Sequence, residues 1–382
     1  MVAERMKQVK GSPTVGLAAR VDELQAQGED VISLAAGEPD FPTPAHIVEA
    51  AKEALDQGFT KYTPSPGIPE LREAIAEQSA ARNGIPAQAE NVLVSSTKHA
   101  LFAAMLAFAG PGDEVLVSDP GWVSYRPMVR LAGATPVPVP TTEEEAFALT
   151  PEAVAERVTP RTRLLVVNTP NNPTGAVYGL PALRGLADLA ADHDFLLLTD
   201  EIYERMVYEG QHHAIASFPG AFERSITVNG FSKTYSMTGW RLGWAVAPVD
   251  LLQAINTVQQ HSFTCATSFA QKGGVAALRG PQEPLEAMVE AFERRKEMVV
   301  KGLNGIPGVD CPEPQGTFYA WARYDDGLAS VAMAERILEK ARVAVIPGVA
   351  FGEEGEGRLR LSFAAASEDL KRALARLREV LG

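Results

Sequence analysis

Several residues along this chain have the types and settings that chemistry uses. Lys233 lies in a loop flanked by Gly, Ser and Thr, where a partly buried amine beside other cations becomes a nucleophile. Asp200 ends the apolar run Phe195–Leu198 and Thr199, so its carboxylate needs a cation or donors to offset desolvation. Arg241 follows Lys233 by eight residues and suits bidentate contact with a phosphate. Ser96 and Thr97 stand where a helical pattern begins and offer hydroxyls and free amides to an anion. Trp122 and the pair Asn171 and Asn172 complete the set. Taken singly, each has a plainer reading. Asp200 and Ser96 can cap helices, Lys233 can be a solvated lysine, Trp122 can be core, and Asn171–Gly175 can be a turn.

What unites them is where they fall. Short apolar runs at Asn91–Val94, Glu114–Val117, Leu164–Val167, Phe195–Leu198 and Ser225–Val228 read as strands. Amphipathic stretches such as Pro181–Asp192, with Leu183, Leu186, Leu189 and Ala190, read as helices between them. Strands separated by helices predict crossover connections and a largely parallel sheet. Each polar cluster follows a strand, so all of them gather at the carboxyl edge, where open α/β sheets bind ligands. The run Gly243–Ala247 follows Ser225–Val228 too closely for a helical crossover and is expected to pair antiparallel. Pro284–Gly302 predicts a long helix leading to a second α/β unit, with strands at Thr317–Ala322, Val343–Ile346 and Arg358–Phe363. Helices at Val331–Lys340 and Glu368–Leu381 flank those strands.

Composition narrows the function class. The 382 residues carry a net charge of −13, which argues against a protein that tracks nucleic acid. Apolar residues make up 46%, too many for a disordered chain. Two cysteines, Cys265 and Cys311, cannot build a disulfide framework or a four-thiolate zinc site. The histidines lack ligand spacing, so no metal is expected. There is no phosphate loop of the Gly-x4-Gly-Lys-Ser/Thr form. Met1–Lys10 has no apolar core of a secretory signal and no run is long enough to span a membrane, so a cytoplasmic protein is expected.

The strings Asn171-Asn172-Pro173-Thr174-Gly175, Asp200-Glu201-Ile202-Tyr203 and Ser232-Lys233-Thr234-Tyr235-Ser236-Met237-Thr238-Gly239-Trp240-Arg241-Leu242-Gly243 together resemble the class I pyridoxal-phosphate aminotransferases. The likeness runs from Ala36–Phe41 to Arg358–Ser362 and is closest to the bacterial aspartate aminotransferases with Lys at position 98. It implies the type I pyridoxal-phosphate fold, with a mostly parallel seven-stranded sheet between helices and a smaller α/β domain. The expected division is 1–45 as an N-terminal arm and part of the small domain, 46–283 as the cofactor domain, and 284–382 as the small domain.

The resemblance also implies roles. Lys233 would hold pyridoxal 5'-phosphate covalently and shuttle a proton. Asp200 would pair with the pyridine nitrogen, Asn172 and Tyr203 would donate to the phenolic oxygen, and Trp122 would stack on the ring. Ser96, Thr97, Ser232 and Arg241 would hold the phosphate, joined by Tyr62 from a neighbouring subunit of a homodimer. Arg360 would take the substrate α-carboxylate, with Gly37, Trp122 and Asn172 around it, and Lys98 the distal carboxylate of aspartate or glutamate. Gly121 before Trp122, and Ser95-Ser96-Thr97 before Lys98, depart from some relatives without removing a chemical role. The implied reaction is transfer of an amino group from aspartate or glutamate to 2-oxoglutarate by ping-pong chemistry. Thr14 with Lys98 leaves prephenate open. Aromatic or broad-range transamination and β-elimination use the same cofactor residues. A cofactor-sensing regulator would need a DNA-binding module for which Met1–Gly37 is too short and insufficiently basic.

Overall fold

Strand periodicity decides the architecture. In the computed structural model, which describes residues 2–382, seven strands form one sheet. Their spatial order is Val92–Ser95, Gly243–Val246, Ser225–Gly230, Leu196–Asp200, Thr162–Asn168, Glu114–Asp119 and Thr135–Pro140. Neighbouring pairs run parallel except where Gly243–Val246 lies antiparallel to both of its partners. The expected antiparallel insertion is therefore present.

Side chains alternate between two buried faces, as a sheet covered on both sides requires. Leu116, Leu165, Val167 and Leu197 pack with Leu183 and Leu186 of the helix Leu180–Asp192. Val115, Val117, Leu164, Val166 and Leu198 pack with Ala100, Ala103 and Ala104 of the helix Thr97–Phe108. These runs are apolar at every position because neither face meets water.

The strand Thr135–Pro140 is absent from the sequence-based expectations, and its Pro136, Pro138 and Pro140 are residues that ordinarily count against a ladder. The structure explains how it pairs. The strand lies at the edge of the sheet, and the three prolines share one parity, so the missing N–H groups fall on one side of the strand. The same prolines make that edge a poor template for further pairing.

The helix Glu283–Asn304 leads to a four-stranded antiparallel sheet, in the order Ile346–Pro347, Arg358–Ser362, Tyr319–Tyr324 and Val309–Asp310. The expected strand at Val343–Ile346 is two short pieces, Val343–Ala344 and Ile346–Pro347, which pair with different partners. Val343–Ala344 runs parallel to Ile32–Ser33, so the N-terminal segment docks beside the C-terminal sheet. Among the described residues no helix is long and apolar enough to cross a membrane.

Two glycines let the helix Thr97–Phe108 begin close to the sheet. A Cβ on Gly230 would stand 2.2 Å from Thr97 Oγ1. One on Gly243 would stand 2.4 Å from the same atom, 2.7 Å from the Asn229 carbonyl oxygen and 2.8 Å from the Thr97 amide. Two of those three obstacles are backbone and cannot rotate away. Gly243→Ala is therefore expected to cost about 1–3 kcal/mol, the usual range for overpacking, seen as a lower urea midpoint; an unchanged midpoint would show that the helix start can retreat freely.

Candidate active site

The six strands that run in one direction all end at one edge of the large sheet. A cavity of about 420 Å³ opens there. Lys233 reaches it from the short helix Phe231–Thr234, directly after the strand Ser225–Gly230. Its Nζ donates to the Gly37 carbonyl. Its pKa is lowered to about 8, first by burial and then by Arg241, Arg360 and Lys98, with Glu38 acting the other way. Four cations thus share one cavity in a chain whose overall charge is negative.

Asp200 ends its strand on the face of Leu198 and is 4% exposed. Its Oδ2 accepts from the Tyr125 hydroxyl at 2.7 Å, and its Oδ1 accepts from the Ile202 amide at 3.3 Å. Burial raises its pKa to about 6, against the Tyr125 and Ile202 bonds. Among the described residues no cationic side chain forms an ion pair with it. A buried carboxylate with donors but no cation, facing a cavity, is a seat for a cationic N–H from a ligand.

Arg360 comes from the other sheet, in register with Trp321 on one side and Ile346 on the other. It is 2% exposed, and no carboxylate pairs with it among the described residues. Nη2 donates to the Ala35 carbonyl at 2.7 Å and Nη1 donates to Asn172 Oδ1 at 3.1 Å, while the buried Nε lacks a partner. The guanidinium carbon lies 4.2 Å from the centroid of the Tyr319 ring and 5.0 Å from that of Phe351. The planar cation is thus held by ring faces and carbonyls and is ready for a carboxylate.

The remaining expected residues divide. Asn172, Tyr203, Trp122, Ser232, Thr97, Arg241, Gly37 and Lys98 line the same cavity. Thr97 Oγ1 donates to the Asn229 carbonyl at 3.1 Å, and Arg241 Nη1 donates to the Thr238 carbonyl at 2.7 Å. Arg241 takes a left-handed backbone conformation, φ 55°, at the turn into the antiparallel strand. Lys98 Nζ lies 4.9 Å from the Trp122 ring centroid, and its pKa is lowered by burial and by Arg241. Ser96 does not line the cavity. Its hydroxyl caps the helix Thr97–Phe108 by accepting from the His99 amide at 3.3 Å. Tyr62 lies outside the cavity and is 88% exposed.

Among the lining residues outside the expected set, three bond to expected ones through their side chains. Tyr125 holds Asp200, and its ring meets Trp122 edge to face with centroids 5.2 Å apart. Asn168 donates to the Asp200 carbonyl at 2.9 Å and accepts from the Asn172 amide at 2.9 Å, so it ties two strand ends together. Its signal was available, because Asn168 ends an apolar strand just as Asp200 does. Tyr319 places its hydroxyl 3.0 Å from that of Tyr203. Its position on an apolar strand of the second sheet resembles core, and only the packing of the two sheets exposes its role.

A ligand that fits would carry a cationic ring nitrogen for Asp200, a carbonyl for Lys233, and an anion for the helix start with Ser232 and Arg241. The sequence model of the family described as "Aminotransferase class I and II" matches residues 29–377. The chain is similar to the aspartate/prephenate aminotransferase of Thermus thermophilus, 46% identical, over 100% of this chain and 99% of the relative. It is also similar to aromatic-amino-acid aminotransferase 2 of Thermococcus litoralis, 46% identical over 93% of each. The solved structure of the Thermus thermophilus aspartate aminotransferase with maleate superposes with a TM-score of 0.96 at 44% identity, covering 100% of both chains. Sequence, fold and cavity converge, and this chain belongs to the class I and II aminotransferases, enzymes that depend on pyridoxal phosphate.

Proposed function

We propose that this enzyme takes the amino group of L-aspartate or L-glutamate and passes it to 2-oxoglutarate, in two half-reactions at one site. The observation that carries the reading is a buried, carboxylate-free Arg360 in the same cavity as the half-exposed cation Lys98. A dicarboxylate needs two such cations; a monocarboxylate needs one. The names of the relatives support the same substrate class.

The cofactor supplies an electron sink that makes the Cα proton of the amino acid removable and carries the amino group between substrates. The protein's part is to hold, orient and move protons. Lys233 would hold the cofactor covalently and, once released, would move the proton at Cα; a pKa lowered to about 8 leaves about a tenth of its amine neutral at pH 7 and half at pH 8. Asp200 would pair with the ring nitrogen in place of the cation that it lacks. Asn172 has its Oδ1 committed to Arg360, which leaves its Nδ2 to donate to the phenolic oxygen beside Tyr203. Trp122 would cover the ring. Thr97, Ser232 and Arg241 would hold the phosphate at the helix N-terminus, which Ser96 supports by capping that helix. Arg360 and Gly37 take the α-carboxylate.

The division into 1–45, 46–283 and 284–382 belongs to the same proposal, supported by the pairing of Ile32–Ser33 with Val343–Ala344. So does a homodimer, supported by an exposed Tyr62 that serves no contact in the cavity of its own chain. Prephenate is a second acceptor to test, because Thr14 lines the cavity with Lys98.

The following outcomes are expected. In the cofactor-free protein, capture of pyridoxal phosphate by Lys233 should rise with pH through about 8, since only the neutral amine attacks; a midpoint above 10 would reject the cavity's effect on this amine. Lys233→Ala should show neither capture nor turnover. Lys98→Ala should lower kcat/KM for aspartate and glutamate by roughly 10- to 100-fold, the scale of one hydrogen bond to a charge, and that for alanine or phenylalanine far less; equal losses in a donor panel would sink the specificity role. Tyr62→Phe should weaken cofactor binding, and dilution to monomer should abolish activity; a fully active monomer would refute the shared site.

A further inference from the structure

Tyr203 and Tyr319 put their hydroxyls 3.0 Å apart in the cavity wall. Both residues are buried, and their rings meet edge to face with centroids 5.9 Å apart. A phenol has one proton to give. If Tyr203 gives its proton to a ligand, then its oxygen must accept from Tyr319. Either hydroxyl could donate on geometry alone, so something else must set the direction.

The charges around the pair set it. Arg360 lies over the Tyr319 ring at 4.2 Å, and a cation in that place draws density from the phenol. Burial raises the pKa of Tyr319, with Arg360 acting against it. Burial also raises that of Tyr203, where Asp200 adds to the rise and Arg360 opposes it. Arg360 and Asp200 are the charges that face the pair, and they make Tyr319 the better donor and Tyr203 the better acceptor. Position is fixed as well. A Cβ on Gly37 would come within 2.4 Å of the Tyr319 hydroxyl, so the bare backbone at Gly37 is what leaves room for it.

We infer that Tyr319 is a positioning residue, whose hydroxyl donates to Tyr203 and turns the Tyr203 proton toward the cofactor's phenolic oxygen while its ring supports Arg360. This rests on the proposed facing of Tyr203 toward the cofactor. The hydroxyl and the ring then serve different partners, and substitutions can separate them. Phenylalanine at 319 keeps the ring beneath the guanidinium and removes only the donor.

The test is a pH titration of the visible absorbance of the holoenzyme without substrate. A donor to the phenolic oxygen draws off density that otherwise stabilises the proton shared with the Lys233 nitrogen, so losing that donor raises the midpoint. Tyr203→Phe should raise it by about one pH unit, and Tyr319→Phe by roughly half as much, the scale of a single hydrogen bond. The double variant should match Tyr203→Phe alone. The KM for the amino donor should stay within about twofold in Tyr319→Phe and rise several-fold in Tyr319→Leu, which removes the ring, in line with the modest strength of cation–ring contacts. Placing 3-fluorotyrosine at position 319 alone makes the phenol more acidic without removing it and should lower the midpoint. A shift in Tyr203→Phe with none in Tyr319→Phe overturns this inference and leaves the cofactor contact standing. No shift in Tyr203→Phe overturns both. A double variant that shifts by the sum of the two singles shows Tyr319 acting independently and also overturns it.

Discussion

Burial of the Asp200 carboxylate at the end of an apolar strand, without a cation, is the constraint on which the rest of the site depends. A charge in that place is costly unless donors and a counter-charge reach it. The chain supplies the donors, from Tyr125 and from the Ile202 amide, and leaves the counter-charge to the ligand. Asn168 fixes the Asp200 backbone to the neighbouring strand end. These bonds hold the carboxylate in one orientation, while burial raises its pKa to about 6 against them. A cationic ring nitrogen seated there, as proposed, would fix how the rest of a rigid ring lies relative to Lys233, Asn172 and Tyr203, which line the same cavity.

The same logic runs in reverse for Arg360. There a buried cation lacks an anion, and rings and carbonyls hold its plane. Asp200 belongs to the large sheet and Arg360 to the small one, so the two buried, unpaired charges come from different sheets and meet across one cavity. Asn172 spans them, with its backbone tied to Asn168 and its side chain to Arg360. Local charge here opposes the average. A chain of net charge −13 concentrates Lys98, Lys233, Arg241 and Arg360 around one space, and each of the other three lowers the pKa of Lys233.

Much of this was legible before any coordinates. The sheet strands are apolar at consecutive positions because both faces are covered, and that pattern survives in sequence. Polar residues at the ends of such runs mark the carboxyl edge. The edge strand Thr135–Pro140 was not legible, because three prolines read as a break until the strand is known to lack a neighbour on one side. Ser96 was legible as either a cap or an anion ligand, and its hydroxyl is the cap.

The sequence by itself determined the chemistry that the chain can perform. Lys233, Asp200, Asn172, Arg241 and Arg360 lie in strings whose order and spacing point to one family, and strand periodicity places most of them at one sheet edge. Tertiary structure alone decided which groups support them. Tyr125 reaches Asp200 across 75 positions, and Arg360 reaches Asn172 across 188. Tyr319 meets Tyr203 across 116 positions, from a strand that reads as core. Periodicity reports which face of its own element a residue occupies. It does not report which face of another element lies opposite, because that depends on how two separately built sheets pack.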